Sequence, residues 1–201
     1  MDLAAPFRPE VLRPIVTVVV PGTIACGPFV LIAGHYLSAV EHFWTVHPTA
    51  FTVLLTLAVI AVGFMIDDIG SDIEFHVWDR LLAKADPKHT ENWQRYLKLQ
   101  LKDEIVGQRY LRILLTQLKF ELAMAPALTV FGLGVAWLNE IHHFFSWSAA
   151  VAVAIALIGA ICYLLFESWQ TAGVLSRTRA LILQAIDEGI KGVVSPTRPA
   201  A

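Results

Sequence analysis

Four stretches of this chain are long and apolar enough to cross a bilayer, and none of them holds a lysine or arginine: residues 15–33, 49–66, 122–138 and 149–166. A hydrocarbon core of about 30 Å takes roughly 20 helical residues at about 1.5 Å each. An isolated strand would leave its backbone N–H and C=O groups without partners in lipid, so each run is expected to be a helix. Composition supports this reading. Of 201 residues, 56% are apolar and 16% charged, against roughly 25% charged in an ordinary soluble domain. A chain this short has too little interior to bury so much apolar surface in water. The expected fold class is all-α, an integral membrane protein with four transmembrane helices plus a small cytoplasmic helical module.

The basic residues orient that plan. Segments 34–48 and 139–148 contain no lysine or arginine; all 15 lie in the N-terminal tail, in the central segment from Arg80 to Lys119, or beyond the fourth run. By the positive-inside rule both termini and the central segment face the cytoplasm, and two short loops face outward. The expected divisions are a tail at 1–14, helices 1 and 2 at 15–66, a cytoplasmic segment at 67–121, helices 3 and 4 at 122–166, and a cytoplasmic helix and tail at 167–201. The location expected is the cell (cytoplasmic) membrane, multi-pass. The N-terminus lacks the pattern of a cleaved signal peptide, so the first run is expected to be retained.

Residues 63–79, GFMIDDIGSDIEFHVWD, join the second apolar run to a dense set of carboxylates. Ile66, Ile69, Ile73, Val77 and Leu81 recur at helical spacing and predict an apolar stripe. Asp68, Asp72 and Asp79 share one flank of it, Asp67 and Glu74 another. Asp86-Pro87 ends the pattern. Thr90 is then the expected N-cap of a linking helix with Trp93, Leu97 and Leu101 facing inward, and Gly107 allows a joint after it. From Gln108 onward, Arg109, Arg112 and Lys119 line one face while Leu111, Leu114, Leu115 and Leu118 line the other. Residues 67–91 carry seven acids and three bases, and residues 92–121 six bases and three acids. An acidic helix leaving the membrane and a basic one returning to it are expected to pair antiparallel. Asp68, Asp72 or Glu74 would then meet Arg109, Arg112 or Lys119.

Three further features bear on function. Pro14, Pro21 and Pro28 are expected to bend or locally open the first helix. Five histidines (His35, His42, His47, His142 and His143) sit among aromatic residues in the two short loops, with no HxxxH pair to seat a metal. Ser148, Ala152, Ala156 and Ala160 form a small-residue stripe on the fourth run, a helix-packing face toward protein rather than lipid. Cys26 and Cys162 lie in apolar runs and are expected to be buried small hydrophobes.

Catalytic signatures are missing: there is no GxSxG, P-loop, HExxH or CxxC. Gly132-x-Gly134 lies inside an apolar run, where it signals packing. No metal and no cofactor is expected, and a net charge of −2 gives no reason to expect nucleic acid. The chemistry on offer is the carboxylates at the inner membrane surface: Asp67, Asp68, Asp72, Glu74, Glu121 and Glu167. With Arg109, Arg112 and Lys119 nearby they form either a charge-paired joint or a cation site. The expected function is non-enzymatic, an oligomeric membrane scaffold or pore-like effector. Its partners would be the lipid bilayer, further copies of the chain, and a protein bound through the cytoplasmic helices. The alternative is a membrane-embedded enzyme or cation channel or transporter using the carboxylates. By topology alone, the plan is similar to that of membrane-acting proteins of bacterial defence and toxin–immunity loci.

Overall fold

The computed structural model describes residues 13–97 and 106–194, which are helical nearly throughout, with no strand among them. Six helices follow in chain order: α1 (Ile15–Tyr36), α2 (Ser38–Val46), α3 (Pro48–Ala85), α4 (His89–Leu97), α5 (Val106–His142) and α6 (Trp147–Val194). Four of them, α1, α3, α5 and α6, are long and apolar enough to span a membrane. The two ends of the molecule differ in composition. The aromatic end holds α2 and the turn between α5 and α6; the charged end holds α4 and the distal parts of α3, α5 and α6.

The chain breaks at Asp86, as the sequence suggests, but stays helical at Gly107 and past Phe166. α5 begins at Val106 and continues unbroken to His142, so Gly107 lies inside a helix and makes no joint. α6 carries its apolar run and its polar continuation as one helix. Between α3 and α4, Asp86 is extended and its carboxylate accepts the Lys88 N–H at 2.9 Å. That Asx turn replaces the expected cap: α4 starts at His89, and Thr90 sits within its first turn.

α1 is not opened by its prolines. Residues Ile15–Val19 form one π turn, with the Val20 N–H bonded to the Ile15 carbonyl, and the helix then runs α-helically through Pro28. Pro21 lacks an N–H and its ring crowds the preceding turn, so a locally wider turn accommodates it without a break.

Glycines let α1, α3 and α5 cross closely. A Cβ on Gly22 would run into the carbonyl of Val59, and one on Gly63 into the carbonyl of Val18. Gly70 faces the backbone of Leu122, and Gly134 faces Pro28. Backbone contact of this kind is how apolar helices hold together where burying apolar surface gains little. Ala25, Ile66, Ala123 and Ala127 are buried at this crossing. A second core, Leu111, Leu114, Leu118, Leu122, Ala172 and Leu175, lies between α5 and α6 at the charged end.

Within α3 the apolar stripe departs from simple helical spacing. Ile66 is buried and Ile73 packs on the core as the spacing requires, while Ile69 between them is exposed. Past Ile73, Val77 and Leu81 are both 41% exposed, and Trp78 and Leu82 pack on the core in their place. The cause of that later shift is a second π turn, Glu74–Trp78. It adds one residue to the turn, so every later position is displaced by one in the face it presents. Asp79 is carried inward by the same displacement.

Candidate functional site

The polar residues at the charged end are arranged as rungs between helices. Nearest the apolar runs, Glu121 of α5 is only 5% exposed. Its Oε1 accepts from Gln117 Nε2 at 2.8 Å and its Oε2 from Thr171 Oγ1 of α6 at 3.0 Å. A buried carboxylate is tolerable only with such donors. Glu167 is half-buried within electrostatic reach of Glu121. On the α3 side, Lys119 Nζ lies 2.9 Å from Glu74 Oε2 and donates to Ser71 Oγ at 2.8 Å. Both charged side chains of that pair are 19% exposed. The Trp78 indole N–H donates to Ser168 Oγ at 3.2 Å, and the fully buried Ser168 donates to the Leu165 carbonyl.

One helical turn further out lies the second rung. His89 of α4 is buried, with Nδ1 2.8 Å from Ser176 Oγ of α6 and Nε2 3.7 Å from Asp79 Oδ1 of α3. Arg179 is buried as well, its guanidinium 4.0 Å from the centre of the Trp93 ring. Asp79, Glu74 and Tyr96 supply its charged and polar surroundings. Burial pushes the Tyr96 phenol above its usual pKa, while Arg179 and Arg112 draw it back down. A third rung, half exposed, is a two-pronged bond from Arg95 Nη2 to both oxygens of Asp187 at 3.0 Å. α4 thus docks on α6 through a histidine, a cation–aromatic stack and an ion pair. Leu97 and Leu101, expected to face inward beside Trp93, have side chains outside the described residues.

The residues singled out in the sequence divide accordingly. Glu74, Lys119 and Glu121 are brought into the rungs. Asp67 is half-buried in the fields of Lys119 and Arg13. Asp68 is exposed, and Asp72, 80% exposed, reaches only His76 of its own helix. Arg112 lies near Tyr96, while the Arg109 side chain is outside the described residues. Ser148, Ala152, Ala156 and Ala160 are all exposed, and a Cβ on Gly159 would meet nothing within 4 Å among the described residues. Cys162 is exposed on this same bare half of α6, against the expectation of burial; Cys26 is half-buried. At the aromatic end, the rings of His35 and His142 meet edge to face at 4.7 Å. Among the described residues no group of three histidine, cysteine or acidic side chains converges as metal ligands would.

Arg179, His89, Ser176, Ser168, Thr171 and the Arg95–Asp187 pair escape a reading by composition. One signal was present for Arg179: Leu175, Ile182 and Leu183 flank it at four and three residues, which puts a cation inside an apolar stripe. Asp79, His89 and Ser176 have the residue types of a nucleophilic triad. Ser176, however, sits midway along a continuous α-helix, where backbone N–H groups are bonded to carbonyls four residues back. No paired N–H donors are free there to hold an oxyanion. The arrangement binds helices together.

Comparison with protein-family models, curated proteins and solved structures finds no match to this chain.

Proposed function

We propose that this chain is a non-enzymatic, multi-pass membrane scaffold that assembles with its own copies and binds a partner protein through the helices of its charged end. The observation that carries this reading is apolar surface left bare at the charged end, on the polar continuations of three helices: Phe75 is 63% exposed, Ile113 56% and Leu181 64%. We read these residues as lying outside lipid, where contiguous apolar surface is covered by other proteins. The distribution of lysine and arginine supports placing that end in the cytoplasm of a cell membrane, with both termini. The bare small-residue face of α6 suits a second copy. Against a cation-handling or enzymatic role, Glu74 and Glu121 already accept bonds from Lys119, Gln117 and Thr171.

The test is assembly. Ala152→Leu with Ala156→Leu, on the exposed small-residue face, is expected to leave helicity and membrane insertion intact while abolishing the oligomer seen by light scattering in mild detergent. Ala156→Cys, with Cys162 changed to Ala, is expected to cross-link between chains in native membranes. A wild-type chain that is monomeric and gives no cross-link sinks the reading.

A further inference from the structure

We propose that the cleft between α5 and α6 at the aromatic end holds one acyl chain of a phospholipid whose headgroup carries an ammonium. The proposal rests on the spans lying in a bilayer, and not on the scaffold reading. The cleft has a volume of about 590 Å³, within the roughly 300–1,000 Å³ typical of ligand sites. Two observations shape it. First, α6 packs extensively only on α5 along its apolar half, and none of residues 147–166 is buried. Second, the two helices close firmly at the charged end, where Leu118, Leu122, Ala172 and Leu175 are buried between them. The space is therefore a wedge, open at one end and shut at the other.

Its lining grades from apolar to polar. Leu128, Gly132, Ala136, Ala154 and Leu157 line the depth; Asn139, Glu140 and His143 stand at the mouth. From Leu128 to Asn139 is about 17 Å of helix, close to one leaflet of a roughly 30 Å core. A helix with its side chains is about 10–12 Å across and cannot follow a wedge to its closed end; a hydrocarbon chain can. The mouth is held in shape by the turn. His143 takes a positive φ of 51°, and the Phe145 N–H donates to Asn139 Oδ1 at 2.7 Å. Charge complementarity selects the headgroup. Glu140 is an exposed acid, and residues 139–148 contain no lysine or arginine to receive an anionic headgroup. An ammonium beside Glu140 is favoured and a purely anionic headgroup is not. The small-residue stripe of α6 faces nearly half a turn away from this cleft, so lipid and a second copy do not compete.

The experiment offers the purified full chain an equimolar mixture of phosphatidylethanolamine and phosphatidylglycerol and counts retained lipid by native mass spectrometry. The expected result is one retained lipid per chain, with phosphatidylethanolamine favoured about three- to fivefold, the scale of a single exposed ion pair. Ala154→Phe and, independently, Ala136→Leu are expected to abolish retention by filling the cleft. Glu140→Lys is expected to reverse the preference. Equal retention of both lipids by the wild type, or undiminished retention by both filled variants, overturns the proposal. So does a lipid-free dimer that Ala154→Phe splits, since that puts a second copy in the cleft. Flotation with vesicles of the same two lipids separates the premises: a chain that stays at the bottom overturns the spanning reading itself.

Discussion

Along α6, residues 147–166 and residues 167–187 belong to one uninterrupted helix yet differ in what they touch. The first half is apolar, lies chiefly against α5 and buries nothing. The second half alternates polar and apolar residues and buries Ser168, Thr171, Ala172, Leu175, Arg179 and Leu183 against α3, α4 and α5. The difference follows from the solvent each half is suited to. In hydrocarbon an exposed isoleucine is at no disadvantage, so apolar residues give the first half no reason to close on the bundle. In water the same residues drive packing, and polar groups trapped by that packing must find partners. Tight packing and dense hydrogen bonding therefore appear together, in the half with fewer apolar residues.

Matched truncations in the two halves test the contrast at its extremes. Leu175→Ala, in the core of the charged end, is expected to lower stability by about 2–5 kcal/mol, read as the unfolding midpoint in detergent. An effect no larger than that of an exposed site would mean the charged end is not a packed core. Next in size is the Glu74–Lys119 pair. Exposed pairs contribute roughly 0–1 kcal/mol and broken buried pairs cost about 3–5 kcal/mol, so at 19% exposure Glu74→Gln is expected to fall between these. The exchange Glu74→Lys with Lys119→Glu should recover much of that loss; a double exchange as unstable as the two single changes combined denies the pair.

Smaller still is Arg179→Lys. It keeps the charge but loses the flat guanidinium on Trp93, a contact worth about 0.5–2 kcal/mol. Its expected signature is faster amide hydrogen exchange confined to α4; unchanged exchange there would show that the stack does not hold α4 down. The smallest effect belongs to the other half of α6. Ile155→Ala removes an exposed side chain that lies outside the cleft and is expected to stay within about 0.5 kcal/mol of wild type. A large loss would show that residues 147–166 are packed against something in the purified protein, and would collapse the contrast.

How much of this could be read beforehand depended on the range of the interaction. The four spans follow from local apolarity, and the leucine face of α5 from local periodicity; Leu111, Leu114 and Leu118 are buried as that spacing requires. Among the acids, spacing alone could not rank Asp72 above or below Glu74. Both lie on α3 near the basic helix, and which one reaches Lys119 depends on the angle between α3 and α5 where Gly70 lets them touch. The contacts of α4 were the least legible. His89 meets Ser176 across 87 residues of chain, and no pattern within either segment points to the other. Val77 and Leu81 show a different limit: the residue types fit the stripe, and the helix changed its winding beneath them.

That change of winding gives the junction an unusual arithmetic. Removing one residue shortens a helix by about 1.5 Å but turns everything beyond it by about 100°. Within Glu74–Trp78 the outcome is the opposite, because that turn holds one residue more than an α turn. A chain lacking one residue there can close the turn as ordinary α-helix and keep every later side chain on its face. Gly63, Ile66 and Gly70 lie upstream and keep their neighbours; Trp78 and Asp79 keep Ser168 and His89. The π turn thus acts as a one-residue insertion that α3 absorbs where it occurs. Retention of the Trp78–Ser168 bond in a Phe75-deleted chain would show that absorption directly, and its loss would show that the wide turn persists and re-aims the distal helix.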